Sequence, residues 1–230
     1  MKFDTHRAGL LLHPTSLPSG TLADAERWLD FMQAAGFGVW QMLPLGLPLV
    51  GLSPYQCVSA FAVNPALFPL NDPARPRADM RRFAGWRNRQ RHWLVDYARF
   101  IIIKAEHGGA SWTDWPVPLR DRDAQALAEF DAAHADAMKA VMAEQYRAAV
   151  HWQRIRAEAA ARGIQLFGDM PIFVAHDSAD VWAQRELFLL DDAGQPTVVA
   201  GVPPDYFSET GQRWGNPHYN WSAMQADGFA

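Results

Sequence analysis

The order strand, loop, helix, strand over residues 8–43 restricts the possible fold more than any other feature. Residues 8–13 (AGLLLH) form a short apolar run that ends at Pro14, which predicts a buried strand followed by a loop. Apolar side chains then recur at helical spacing up to Gly36, which can cap the helix end. Residues 39–43 (VWQML) predict a second strand. Since a βαβ unit requires parallel strands joined by a right-handed crossover, the sequence predicts an α/β fold.

Further elements are predicted along the rest of the chain. Residues 164–169 (IQLFGD) predict a third strand, and a proline- and glycine-rich loop is expected from Gly46 to about Arg82, where Pro69–Pro76 is densest. The first helix is predicted to bury the face formed by Trp28, Phe31, Met32 and Ala35. A helical stripe is predicted over 86–101 and one long helix over 124–162. A hairpin is predicted over 188–199, with its turn at 191–194, and irregular chain over 201–221.

Composition limits the classes of partner. The 230 residues are 49% apolar, so the chain can bury a core, and a net charge of -4 argues against nucleic acid and anionic membranes. The lone Cys57 excludes an internal disulfide, and the early apolar run is too short for a signal sequence or a membrane span, so cytoplasm is expected. No nucleotide motif is present and the eight His lack metal spacing, which predicts no cofactor and no metal.

Ten Trp residues are unusual for this length. Aromatic rings fill cores, and they also form flat platforms with a polar handle. Count alone favours core filling. The sequence predicts core positions for the tryptophans at helical spacing, namely Trp28, Trp86, Trp93 and Trp152.

Several long motifs occur in one order along the chain. They are HPTSLP (13–18), WQMLPL (40–45), SPYQ (53–56), SAFA with Asn64-Pro65 (59–65), GDMPIFVAHDSADVW (168–182) and VAGVPPDYFSETGQRWGNP (199–217). Together they closely resemble the 4-alpha-glucanotransferases, also called amylomaltases or disproportionating enzymes, of glycoside hydrolase family 77.

The resemblance implies a (β/α)8 TIM barrel. A complete barrel takes about 250 residues, and only three parallel strands are evident here, so residues 1–230 are expected to be the N-terminal half of a single catalytic domain. A region of about residues 46–120 is expected to be a loop and helical insertion. The segment between Pro65 and Trp93 is shorter than is usual in the family.

The resemblance also implies a retaining transfer of alpha-1,4-glucan segments between maltooligosaccharides, with an Asp nucleophile and a Glu acid/base. These catalytic residues are expected C-terminal to Ala230, so the chain alone is expected to be inactive and to need the C-terminal half of the barrel. The alternative is a truncated relative that binds alpha-glucans without catalysis.

Two loops and one strand end supply the candidate sugar-binding residues. By resemblance these are Ser53 and Tyr55 in the first loop, Asp169 after the third strand, and Tyr206, Gln212, Trp214 and Asn216 in the second loop. The alternatives are a loop anchor for Tyr55 and a structural, hydrogen-bonded carboxylate for Asp169. The alternative for the second loop is that one aromatic residue packs into the core and holds the loop there, most readily Phe207, which lacks a polar handle.

Overall fold

The computed structural model describes residues 6–70 and 78–229, which form two compact units. The first unit comprises residues up to 47, 63–89 and 143–170, and the second comprises 48–62, 90–142 and the residues from 171 onward. Most of the dense loop predicted over Pro69–Pro76 lies outside the described residues. The strands are β1 (Gly9–Leu11), β2 (Val39–Gln41), β3 (Gln165–Phe167), β4 (Val199–Val202) and β5 (Gln212–Pro217). The α-helices are α1 (Ala25–Ala34), α2 (Phe83–Arg89), α3 (Arg91–Glu106), α4 (Val117–Arg120), α5 (Ala124–Ala133), α6 (Ala135–Ala161), α7 (Ala179–Ala183) and α8 (Trp221–Ala226).

A parallel three-stranded sheet lies at the centre of the first unit. Its order is β1-β2-β3, with Leu10 opposite Trp40 and Trp40 opposite Leu166. The βαβ prediction and the third strand are therefore confirmed. Helix α1 lies in the connection from β1 to β2. Parallel strands need such a crossover, because a tight turn can join only antiparallel strands.

The two faces of this sheet differ in burial. Leu10, Trp40 and Leu166 pack into a core that includes residues of α1 and α6, and the Trp40 indole donates to the Leu12 carbonyl at 2.8 Å. On the other face Leu11 is 59% exposed and Phe167 is 47% exposed. Since successive strand residues point to opposite faces, the second face of this sheet is less well covered than the first within the described residues.

Helix α1 has a different buried face from the predicted one. Leu29 and Met32 are fully buried, whereas Phe31 is 52% exposed and stacks on Trp28 with ring centroids 5.3 Å apart. The predicted cap is confirmed, because Gly36 has φ +78°, a conformation that favours glycine.

The long helix predicted over residues 124–162 is wrong, because it is two helices that break at His134. The His134 ring lies 2.9 Å from the Phe130 carbonyl and 2.7 Å from a Glu106 oxygen. Its backbone leaves the helical region, with φ -115° and ψ 18°. The His134 backbone N–H donates to the same Phe130 carbonyl at 2.9 Å, so this carbonyl has two partners at the end of α5.

The second unit contains an antiparallel ribbon of β4 and β5, where irregular chain was predicted. The prediction was wrong because Gly201 and Gly211 look like strand breakers. They are needed here for close packing, since a Cβ on Gly201 would lie 2.4 Å from the Gln212 carbonyl oxygen. The turn at residues 191–194 is confirmed by a 2.9 Å hydrogen bond from Gly194 to the Asp191 carbonyl, and its flanks are joined by a single bridge between Leu190 and Pro196.

Candidate functional site

Strand β5 carries three of the candidate sugar-binding residues. In a regular strand Gln212, Trp214 and Asn216 would share one face. Gly215 has φ +79° and interrupts the extended backbone, so the side chains have different surroundings. Trp214 is 46% exposed, while Asn216 is 3% exposed. The ribbon therefore offers one aromatic ring to solvent and buries its neighbouring amide.

The Trp214 ring is held by its neighbour on the same strand. Its indole nitrogen donates to Gln212 Oε1 at 3.0 Å, which satisfies the only polar atom of the ring. The indole faces carry no polar group, so they can stack on the apolar face of a sugar ring.

Gln56 joins the SPYQ turn to the β-ribbon. Its Nε2 donates to the Trp214 carbonyl at 3.2 Å and to Asn216 Oδ1 at 2.6 Å. Asn216 in turn donates from Nδ2 to the Val174 carbonyl at 2.8 Å. From the sequence Gln56 is a weaker candidate for a sugar contact, like Ser53, and its bond to the ribbon was not predicted because no local pattern identifies a partner 160 positions away.

The SPYQ turn itself is local. The Ser53 hydroxyl accepts from the Tyr55 backbone at 3.3 Å, and the Ser53 carbonyl accepts from the Gln56 backbone at 3.1 Å. Tyr55 is 42% exposed at this turn. Burial raises the pKa of Cys57 to about 11, and its thiol donates to the Pro54 carbonyl at 3.1 Å, so Cys57 is a poor nucleophile here.

The chain after the SPYQ turn is bound to the start of α7. An Asp180 carboxylate oxygen accepts from the Ala60 backbone at 2.9 Å, and the Ala179 backbone donates to the Val58 carbonyl at 2.8 Å. Ser178 caps α7, because its hydroxyl accepts from the Val181 backbone at 3.3 Å. These contacts fix the segment from which Tyr55 and Gln56 project.

Tyr206 and Phe207 are the most exposed aromatic residues of the ribbon loop, at 97% and 89%. The alternative, that Phe207 packs into the core and holds the loop there, is contradicted by this exposure. Asp205 holds the turn instead, because its Oδ1 accepts from the backbones of Phe207 and Ser208 at 2.9 Å each. Polar contacts thus shape the loop and leave both rings free of the core.

Asp169 belongs to the first unit and follows the carboxyl end of β3 by two residues. His13 follows β1 by the same interval, so parallel pairing places both residues at the carboxyl edge of one sheet. Burial lowers the pKa of His13 below its usual value of 6.5, which favours a neutral ring at neutral pH. Barrel enzymes gather their site residues at this edge. His13 belongs to the HPTSLP motif but was not among the site residues predicted from the sequence.

No group of three His, Cys, Asp or Glu side chains within the described ranges could hold a metal ion. The helices of the described part of the chain also include none with the length and apolar character needed to cross a membrane.

Comparison with known proteins identifies the family. The 4-alpha-glucanotransferase model of glycoside hydrolase family 77 matches residues 11–82 and 72–230, which together span nearly all of the chain. The chain belongs to the 4-alpha-glucanotransferase family. The 4-alpha-glucanotransferase of Thermus thermophilus is 44% identical over 267 positions, which cover 96% of this chain and 53% of the relative. The enzyme of the same name from Synechocystis is 40% identical, covering 99% of this chain and 55% of the relative.

A solved structure of a 4-alpha-glucanotransferase relative supports the fold. The amylomaltase from Streptococcus agalactiae in complex with acarbose matches with a TM-score of 0.89 and 31% identity, over 97% of this chain and 55% of that one. The strands β1, β2 and β3 are thus part of a (β/α)8 barrel, of which the chain contains about half. The chain spans about half the length of the curated relatives it matches.

The family match also shows where this 4-alpha-glucanotransferase chain departs from its relatives. The alignment to the Thermus thermophilus protein has 267 positions, whereas this chain has 230 residues. The Thermus thermophilus protein therefore has residues within the aligned region that this chain lacks. The family model matches in two separate segments, which overlap over residues 72–82. This break lies within the segment between Pro65 and Trp93 that the sequence analysis identified as short.

Proposed function

We propose that this chain is the N-terminal portion of a 4-alpha-glucanotransferase that moves alpha-1,4-glucan segments between maltooligosaccharides. Family membership supports the reaction class, and the acarbose bound by the Streptococcus agalactiae amylomaltase supports a carbohydrate ligand. The observation that carries the proposal is the half-exposed Trp214, whose indole nitrogen is already bonded to Gln212 and whose backbone is held by Gln56.

In this proposal the chain's own residues bind and orient glucan. The ring of Trp214 stacks on an acceptor sugar, Tyr206 contributes a second ring, and Tyr55 with Ser53 forms a further sugar contact from the SPYQ turn. Gln212 and Asn216, proposed from the sequence as sugar contacts, have amide groups that already bind protein groups. Asp169 lines the donor sugar site and accepts sugar hydroxyls.

The nucleophile and the acid/base are proposed to lie outside residues 1–230. A retaining transferase needs two carboxyl groups about 5 Å apart, one on each side of the scissile bond. The family motifs that hold them follow the Trp-Gly-Asn-Pro segment at residues 214–217. We therefore expect the 230-residue chain to bind glucan without transferring or hydrolysing it, and to need the C-terminal half of the barrel for activity.

The same proposal places the protein in the cytoplasm with neutral sugar chains as its partners. A net charge of -4 provides no broad positive field for nucleic acid or anionic membrane. Some relatives work elsewhere, since the potato 4-alpha-glucanotransferase is described as chloroplastic or amyloplastic.

A second candidate is an alpha-glucan-binding protein without catalysis. It is favoured by the exposed rings of Tyr206, Phe207 and Trp214, which can bind sugar without a catalytic carboxylate. Extending the reading frame past Ala230 separates the two candidates. A downstream half-barrel with the Asp and Glu motifs supports the transferase, and a stop codon supports the binding protein.

The binding site is tested by calorimetric titration of the 230-residue chain with maltoheptaose. Trp214→Ala should weaken binding about fivefold, since a stacked aromatic contributes about 1 kcal/mol beyond its buried area. Trp221→Ala is the matched control, because Trp221 is a comparably exposed tryptophan of the same unit, at 63%. Equal losses in both variants, or none in Trp214→Ala, would contradict the proposed site. Conversion of maltotriose into longer chains by residues 1–230 alone would contradict the expected inactivity.

A further inference from the structure

We propose that Gln56 is a positioning residue that sets the orientation of the Trp214 ring from a separate loop. The inference deepens the proposed function, on which it rests for the identity of the ligand. It assigns Asn216 to the same positioning network.

The bonds of Gln56 reach the backbone of the platform residue itself. Gln56 Nε2 lies 3.2 Å from the Trp214 carbonyl oxygen and 2.6 Å from Asn216 Oδ1. A primary amide has two N–H groups, so both bonds can form at once. One side chain from the SPYQ turn therefore holds two positions of β5 on either side of Gly215.

Gly215 interrupts the strand between the two positions that Gln56 holds. Its φ of +79° breaks the extended backbone between Trp214 and Asn216, and a Cβ placed on it would meet nothing within 4 Å. Pairing with β4 holds β5 at Arg213 and at Pro217, whereas the side-chain position of Gly215 between them has no packing neighbour. Without the Gln56 bonds, rotation about the Gly215 backbone would carry the Trp214 ring away from its present direction.

Asn216 anchors the other end of the network. It is 3% exposed, and its Nδ2 donates to the Val174 carbonyl at 2.8 Å. Its Oδ1 receives the Gln56 bond. Loss of the Gln56 amide would leave a buried oxygen without this donor, so Asn216 and the strand that carries it would shift. The sugar platform therefore depends on a chain of hydrogen bonds that runs from Gln56 through Asn216 to Val174.

The test uses Gln56→Met, which keeps the length of the side chain and removes its amide. The indole N–H resonance of Trp214, identified with Trp214→Phe, should shift or broaden in the free 230-residue chain. Maltoheptaose affinity should fall about fivefold, as for Trp214→Ala. In the Trp214→Ala background Gln56→Met should cause no further loss, because both changes remove the same contact.

Gln145→Met is the matched control. Gln145 also holds a loop through two backbone bonds, to the Val63 amide at 3.0 Å and the Val63 carbonyl at 2.9 Å, and it is 3% exposed. It should lower the melting temperature without moving the Trp214 resonance or the maltoheptaose affinity. The double variant Gln56→Asn with Asn216→Gln keeps the combined length of the two side chains. Its maltoheptaose affinity should be higher than that of Gln56→Asn alone.

The outcomes separate the inference from the proposed function. An unmoved Trp214 resonance in folded Gln56→Met, or in folded Gln56→Asn if Gln56→Met does not fold, overturns the positioning role. Additive losses of affinity in the double variant also overturn it, because Gln56 would then contact glucan independently. If the resonance moves but Trp214→Ala binds maltoheptaose normally, the positioning role stands and the proposed sugar contact fails.

Discussion

At the scale of single residues, side-chain oxygens hold several turns in the loops of the second unit. Ser53, Asp180 and Asp205 each accept backbone N–H groups there. Such bonds leave the nearby rings of Tyr55, Tyr206 and Phe207 exposed. This is the arrangement that a site for an amphipathic sugar chain needs, because rings pinned to a core could not stack on a ligand.

Asp180 provides a prediction about pH. Burial raises the pKa of its carboxyl above 3.8, while the bond from Ala60 partly offsets the rise. The folded protein therefore binds a proton more readily than the unfolded chain, and the contribution of Asp180 to stability falls as pH rises from about 3.8 through its raised pKa.

We expect Asp180→Asn to be as stable as the parent or more stable at pH 7, because the amide keeps an acceptor for Ala60 without the buried charge. Its advantage should shrink as pH falls through the same window. Asp180→Ala should lose about 1–2 kcal/mol, since the acceptor is gone. Urea unfolding at several pH values measures all three proteins. A parent that gains stability relative to Asp180→Asn as pH rises would contradict the assignment.

Asp169 provides a prediction about turnover. In a protein with both halves of the barrel, Asp169→Asn should lower kcat about a hundredfold or more, since hydrogen bonds that tighten in an oxocarbenium-like transition state supply several kcal/mol. Steady-state kinetics with maltotriose, beside circular dichroism to verify folding, measures the effect. Near-normal turnover in a folded variant would show that Asp169 is structural.

The local roles of polar residues can be predicted from the sequence, whereas their hydrogen-bond partners in distant segments cannot. Ser178 as a helix cap follows from its position before an apolar run. The bond between Asp180 and Ala60 spans 120 positions and has no local sign. The tryptophans expected in the core are only partly buried, and the fully buried ones are Trp40, Trp112 and Trp182, which lie at a strand or in short helical segments.

At the scale of elements, glycine has opposite roles in the two units. Gly36 ends α1 as the sequence predicts, whereas Gly201 permits the ribbon that the sequence analysis took for irregular chain. Composition alone cannot separate these roles, because the same absence of a Cβ serves a turn and a close strand contact. The parallel strands were predictable because their apolar runs and intervening helix follow regular periods.

Gly201→Ala tests the ribbon. Its new Cβ would lie 2.4 Å from the Gln212 carbonyl oxygen, so the strands must separate, and we expect a loss of about 1–3 kcal/mol together with weaker maltoheptaose binding. Gly51→Ala is the control in the same unit, since nothing lies within 4 Å of that position. Thermal melting and calorimetry measure both effects. Equal stability of the two variants would show that β4 and β5 do not need this contact.

At the scale of the whole molecule, the partly exposed apolar face of the parallel sheet has a measurable consequence. Leu11 and Phe167 expose about half of their side chains on that face. Apolar surface of this kind promotes association. We expect the 230-residue chain to associate as its concentration rises, and Leu11→Thr with Phe167→Thr to reduce that association.

Sedimentation velocity over a range of protein concentrations provides the measurement. Val117→Thr is the control, because Val117 is 58% exposed on α4, in the other unit. If Val117→Thr reduces association as much as the sheet variants do, the sheet face has no special part in it.

The two compact units are each assembled from three separated stretches of chain, and the stretches alternate along the sequence. No single crossover in the gene can therefore transfer one unit without part of the other. Recombination would bring in pieces of both units at once, each fitted to different neighbours. A substitution at Tyr206 or Trp214, the proposed sugar contacts, changes a single codon and leaves each unit assembled from its own stretches of chain.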